Sequence, residues 1–351
     1  MITINLGVTT KGIEVMGRLR LSHFFSFDLN FLMTGLGAVF LGILVYSLGW
    51  QQVVDQITKM GPGWLSINGQ MILVLLANTG AWNYAFDPQQ RTVNFWELLK
   101  MRLVGDGLNY LVPAALAGEI FRINSLRRDM PLNQGAASVA VAKLTNLFAA
   151  VGCIALGLLF AAPFAPLKPG IILWLWVAFF ASLVLLGWVY KVLRHRLFDK
   201  AAAWLKDRLP ARLYDHLPTS LIEETDGDVA NYLAVDNRSL MASVALHVLG
   251  WALGLIEVFL IFHFLQLPVH LPTIVMVETL SIFWDTGLFF VPIKFGVQEG
   301  GRVLIFLALG LSPAAGLSFG IIHRIKELIW ASLGLAVLQT MPSSHQEAEP
   351  E

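Results

Sequence analysis

Residues 31–50 (FLMTGLGAVFLGILVYSLGW) and 171–190 (IILWLWVAFFASLVLLGWVY) each run for twenty positions without one Asp, Glu, Lys, Arg or His. About 20 apolar residues are what an α-helix needs to cross the hydrocarbon core of a bilayer. Lipid offers the backbone no hydrogen bonds, so a spanning segment must satisfy its own, as a helix does. The rest of the chain follows suit: charged residues make up 14% of it and apolar residues 56%, where a soluble domain carries about 25% charged residues. The expected fold is therefore an all-α polytopic membrane protein, a single integral membrane domain over 1–351.

Candidate spans are 31–50, 64–84, about 92–112, 136–160, 171–190, 241–265, 271–291 and 317–338, about eight in all. The arm before the first holds Lys11, Arg18 and Arg20, and no short apolar run with a cleavage site follows. The first span is expected to act as an uncleaved anchor with a cytoplasmic N-terminus. A zero net charge offers no concentrated basic surface, so no nucleic acid is expected as a partner. The single cysteine, Cys153, lies in an apolar span and excludes an intramolecular disulfide.

One long polar connection covers 191–238. Leu193, Leu197, Ala201, Leu205 and Leu209 recur every four residues and Pro210 ends the stripe. Ser220 and Glu223 have capping-box spacing, and Val229 and Leu233 line a second amphipathic piece. Such helices lie along the headgroup boundary or form a small cap outside the membrane. The polar tail, 340–351, is expected to be disordered.

Where apolar spans should continue, two polar stretches resemble each other. DGLNYLVPAALAGEIFR (106–122) and DTGLFFVPIKFGVQEGGR (285–302) both open on Asp, reach Val-Pro six residues later, and end on Glu and an Arg three places beyond. Asp106 and Asp285 are 179 apart, as are Pro113 and Pro292; Glu119 and Glu299 are 180 apart, as are Arg122 and Arg302. Lys143 and Arg324, 181 apart, are each a cation near the start of a long apolar run. The pattern points to two repeated halves, about 64–190 and about 241–338, each with a helix-broken or re-entrant motif, near 106–122 and 285–302. Whether the halves stand parallel or inverted is left open.

Proline and glycine break helices, and broken backbone at membrane depth needs protein or a water-filled cavity around it. Charges inside spans cost ~2.5–3.5 kcal/mol each and face partners or a pathway. Each motif sets Glu beside Arg, so mutual neutralisation explains their tolerance. The competing reading is that these charges only clamp helices together. Arg127, Arg128 and Lys326 are expected to be interfacial anchors, and His323, beside Arg324, is a candidate to join the site. His247 and His263 are expected to be hydrogen-bonded helix residues. Gly250/Gly254 and Gly316/Gly320 are spaced for close helix packing. No metal-ligand spacing and no phosphate-binding loop stand in the sequence, so neither cofactor nor ATP is expected.

The two motifs, VPAALAGEIFRINSLRRDMPLNQGAASVAVAKL and VPIKFGVQEGGRVLIFLALGLSPAAGLSFGIIHRIKELIWASLGL, resemble the flippase-like membrane family related to the transmembrane part of lysylphosphatidylglycerol synthases. The likeness covers roughly residues 30–340. Gly-Val-Gln-Glu-Gly-Gly looks most like the branch associated with hopanoid biosynthesis, the HpnL-like proteins. By resemblance, the family's positions fall on Pro113, Gly118, Glu119, Arg122, Lys143, Pro292, Gly296, Glu299, Gly300 and Arg324. Two departures stand out. Lys143 replaces a common arginine, and a point ammonium is not equivalent to a planar fork for holding phosphate. Ile293-Lys294-Phe295 stands where small residues are usual.

The resemblance implies a non-enzymatic lipid transporter of the bacterial inner membrane, taking hopanoids or another polar lipid such as a phospholipid, with homo-oligomers or lipid-biosynthesis proteins as partners. Arg122, Lys143, Arg302 and Arg324 would meet the headgroup. Glu119 and Glu299 would hold those cations or take up protons, and Asp106 and Asp285 would support the broken backbone. The alternatives are an intramembrane lipid-modifying enzyme, with Glu119 or Glu299 as general base, and a scaffold subunit of a lipid-synthesis complex.

Overall fold

A computed structural model describes residues 51, 55, 58–111, 117–196, 219–235, 237–287 and 297–341. The expected first span at 31–50 lies outside the described residues, as do Pro113, Pro292, Gly296, the stripe beyond 196 and the tail beyond 341. Among the described residues the fold is helical, without strands. The helices are α1 (Gly63–Tyr84), α2 (Phe95–Leu111), α3 (Ala117–Leu126), α4 (Leu132–Phe160), α5 (Pro169–Arg194), α6 (Thr219–Val235), α7 (Asn237–Phe264), α8 (Leu271–Gly287), α9 (Val297–Ala308) and α10 (Pro313–Thr340). By length and composition three described stretches can cross a membrane: Leu132–Phe164, Pro169–Arg194 and Asn237–Phe264. The fuller expectation of about eight spans is not reached among these residues.

Helix α4 is the hub, packing against α1, α3, α5, α6, α7 and α8. Its sequence suits the role, because Gly135, Ala137, Ser138, Ala142, Ala149, Ala150 and Gly157 are all buried. Small side chains let helix backbones approach where lipid gives no hydrophobic drive between helices. Gly157 shows how close: a methyl group there would stand 1.9 Å from Thr279 Oγ1 on α8. Hydroxyl and imidazole groups fasten the same region. Ser243 Oγ donates to Ala81 O at 2.9 Å and lies 2.9 Å from Thr145 Oγ1, and His247 Nδ1 lies 3.3 Å from that hydroxyl. His247 is thus hydrogen-bonded, as expected; His263 is exposed and stacks on Phe259 instead.

Helices α1 and α7 pack antiparallel. Gly63 meets Phe264, Gln70 Nε2 donates to Leu253 O at 2.8 Å, and Gly80 meets Leu246. Gly250 abuts Asn78, Gly254 abuts Glu278, and Gly316 and Gly320 abut α9 at Arg302 and Glu299, so all four glycines mark close contacts. Helices α2 and α10 also cross antiparallel, with Gly107 against Ala331 and Gly334 against Leu103.

Helix α5 makes the opposite choice. Among the described residues its main partners are α4 and α6, and Leu173, Trp174, Phe180, Val184 and Trp188 are exposed along it, the face a lipid-bathed helix presents. Helix α6 docks on α4 and α5 through buried Val229 and Leu233, the two residues the amphipathic pattern named. Tyr232 donates its hydroxyl to Tyr84 O at 2.7 Å, and Asn133 Nδ2 donates to Asp228 at 2.7 Å. The helix already includes Thr219, so Ser220 sits inside the helix rather than at the expected cap.

Candidate functional site

The ten residues of α3 and the twelve of α9 are about 15 and 18 Å long at 1.5 Å per residue, half a hydrocarbon core or little more. Each folds back on the helix before it. Gly118 N donates to Asn109 Oδ1 at 2.8 Å, and a methyl group at Gly118 would stand 1.9 Å from Gly105 O. Gly301 lies against the Trp284 indole in the same way. Both polar motifs are therefore helical hairpins, α2–α3 and α8–α9, as the helix-breaking residues required.

In the first hairpin Arg122 Nη2 reaches Asp106 Oδ1 at 2.5 Å. Glu119 Oε1 takes Lys143 Nζ at 2.7 Å from α4 and Arg122 Nη1 at 3.5 Å. Asn109 Nδ2 donates to the other oxygen, Oε2, at 2.6 Å. Arg102 Nε lies 3.5 Å from Asp106 Oδ2, and the Arg122 guanidinium sits 5.7 Å from the Trp82 ring centre, within cation–π range.

The same partners recur in the second hairpin. Arg302 Nη2 reaches Asp285 Oδ2 at 2.6 Å, and Arg324 Nε reaches Glu299 Oε1 at 2.6 Å from α10. Asp pairs with the Arg of the following short helix, and its Glu pairs with the cation of the next long helix, on both occasions. Gln298 Nε2 adds a long contact to Asp285 at 3.5 Å.

The two constellations meet. Arg324 Nη1 donates to the Tyr110 hydroxyl at 2.6 Å and its guanidinium lies 5.5 Å from that ring, so a cation of the second motif touches the helix of the first. Replacing Tyr110 by Phe removes this charge-assisted bond. It should cost about 1.5–3 kcal/mol, read as a lower unfolding midpoint in detergent with helical content unchanged.

Their exposures differ. The side chains of Lys143 and Asp106 are 54% and 46% exposed, whereas Arg302 and Arg324 are 2% and 4% exposed. Among the described residues no hydrogen-bond acceptor meets the buried Arg302 Nε and Nη1 or Arg122 Nε. Spare donors on buried guanidinium groups are what an anionic oxygen would occupy. Gly300 is exposed, with nothing described within 4 Å.

Sequence reasoning missed Asn109, Tyr110, Glu257 and Glu327. Glu257 carried a signal, since it is the lone carboxylate within the apolar run of α7. Tyr110 carried none: a tyrosine beside a helix end is ordinary. Lys326 is a correction. It is not an interfacial anchor but is 5% exposed, with its Nζ 2.5 Å from Glu257 Oε2, because α7 supplies a buried carboxylate that no local pattern in α10 announces. His323 does join the polar network, against Glu257 and Glu327. No group of His, Cys, Asp and Glu suited to a metal stands among the described residues.

Residues 30–334 match the model of the lysylphosphatidylglycerol synthase transmembrane region. The chain belongs to this family. With its apolar helices, that makes it a multi-pass membrane protein of a family tied to lipid synthesis. No curated protein and no solved structure matches it. Both hairpins and the charged residues that pair within and between them fall inside the matched region.

Proposed function

We propose that this member of the lysylphosphatidylglycerol synthase transmembrane family moves a polar lipid between leaflets, as a flippase-like transporter of the bacterial inner membrane. The observation that carries the reading is the pair of like-built ionic hairpins joined through Tyr110 and Arg324. A clamp needs charges matched one to one. Here Arg122 and Arg302 keep buried donors in hand, and Lys143 and Asp106 open the cluster outward. An anionic or hydroxylated headgroup would take the spare donors while its tails stay along exposed apolar faces such as that of α5.

We read α1–α4 and α7–α10 as two copies of one unit. Because α1 and α7 run antiparallel, the copies would be inverted, the plan on which many transporters place a site near mid-membrane between broken helices. The family resemblance points to hopanoids or phospholipids as cargo, and the N-terminus is assigned to the cytoplasm.

Purified protein in liposomes carrying labelled phospholipid or hopanoid tests the reading. Lipid movement should exceed that of empty liposomes for at least one lipid and fall at least tenfold in Glu119→Gln, which keeps shape but removes the charge facing Lys143 and Arg122. Equal movement with and without protein, across all lipids tried, defeats the proposal. A scaffold would tolerate Glu119→Gln and Glu299→Gln, and a lipid-modifying enzyme would show as a missing mass in lipid extracts of a deletion strain.

A further inference from the structure

Beside the hairpins, α7 and α10 enclose a second polar group with no counterpart in the first half. Positions 179–181 earlier, the spacing of the paired motifs, hold Asn78 for Glu257, Ala142 for His323, Thr145 for Lys326 and Asn146 for Glu327. His323 Nδ1 lies 2.8 Å from Glu257 Oε1, and Nε2 lies 3.4 Å from Glu327 Oε1. A neutral imidazole has one N–H and one bare lone pair. In either tautomer, one ring nitrogen would then set a lone pair against a carboxylate oxygen. Only the imidazolium donates to both.

Charge counting agrees. Glu257, Glu299 and Glu327 stand against the fixed cations Arg324 and Lys326 among the described residues, one positive charge short. Lys326 is held by Glu257, and Arg324 by Glu299 at 2.6 Å and Glu327 at 3.9 Å. Glu278 of α8 also lies within electrostatic reach of Glu257 and His323, and Arg302 of α9 is paired with Asp285. From α2 the titratable neighbour is Tyr110, bonded to Arg324, and α1 presents the uncharged Asn68 to Trp330.

We propose that His323, between Glu257 and Glu327, is a proton-binding site that couples lipid movement to the proton gradient. This rests on the transport reading. The proton arrives from water on one side of the membrane, binds one imidazole nitrogen and leaves as hydronium on the other side, so nothing else is consumed. Loss of the proton turns one carboxylate contact repulsive, and α10 must then shift against α7 or α9. Glu327 transmits the change, because it faces both His323 and Arg324, the residue that joins the two hairpins.

The test has two independent arms. First, the nitrogen resonances of His323 are recorded in ¹⁵N-histidine-labelled protein in nanodiscs and assigned by loss in H323Q. At pH 7.5 both ring nitrogens should carry protons; a neutral ring overturns the site. Second, movement of acyl-labelled phosphatidylglycerol is followed in phosphatidylethanolamine/phosphatidylglycerol vesicles with and without a two-unit pH difference. The gradient should speed the wild type roughly tenfold, about 1.4 kcal/mol of the gradient appearing in the barrier, and should speed H323Q and E327Q less than twofold. Equal wild-type rates with and without the gradient overturn the coupling while the transport reading stands. Movement in no arm overturns transport, and the proton site is then upheld or rejected by the resonances alone. If H323Q fails to fold, E327Q keeps the gradient arm intact and the conservative variant H323N supplies the resonance assignment.

Discussion

Arg324→Met should abolish lipid movement and lower stability by about 3–5 kcal/mol, the cost of removing one partner from a buried ion pair. Three groups depend on this guanidinium: Glu299 through Nε, Tyr110 through Nη1 and, at 3.9 Å, Glu327. Glu299 and Arg324 are 7% and 4% exposed, so water cannot substitute. Arg324→Lys should recover only part of the loss, because a single ammonium on a flexible stem cannot hold Glu299 and Tyr110 in one plane. Unfolding midpoints in detergent and vesicle lipid movement check both variants. A wild-type midpoint for Arg324→Met would show that the pair is not buried as described.

Gly118→Ala should be the most damaging single methyl group among the described glycines, because its closest obstacle is backbone. The new Cβ would stand 1.9 Å from Gly105 O and 2.8 Å from the Asn109 carboxamide. The first obstacle is backbone, and no rotamer relieves it. Helix α3 must move off α2, which breaks the bond from Gly118 N to Asn109 and displaces Glu119 and Arg122 from Lys143 and Asp106. The expected loss is about 3 kcal/mol, the upper end of overpacking costs, with lipid movement lost as well. Gly187→Ala on α5, where nothing lies within 4 Å, is the control. It should be neutral or slightly stabilising, since alanine is favoured over glycine in a helix by about 1 kcal/mol. Equal midpoints for the two variants would contradict the hairpin packing.

Lys143 and Arg324 occupy matching positions and separate in a way the sequence already hinted. A lysine stem reaches outward while its ammonium stays wet, and Lys143 is half exposed. A guanidinium is more weakly hydrated and carries donors enough for several partners, and Arg324 is buried among them. The lysine at 143 thus marks the more open of the two constellations. Lys326 was misplaced by the same reasoning. It stands in the middle of α10, and the carboxylate that holds it there, Glu257, lies 69 residues away in the chain.

By itself the sequence determined the membrane setting, the helical class and the two charged interruptions, because each follows from local composition. A long run without charged side chains has few places to go, and proline, glycine and paired charges inside one demand an explanation on the spot. The spacing of 179–181 also named which carboxylates and cations correspond. Tertiary structure alone decided that α1 and α7 run antiparallel, that Tyr110 holds Arg324, and that Glu257 and Glu327 flank His323. These depend on which helix lies beside which. In an apolar solvent that choice rests on small residues and isolated polar groups meeting across helices, a complementarity no single segment records.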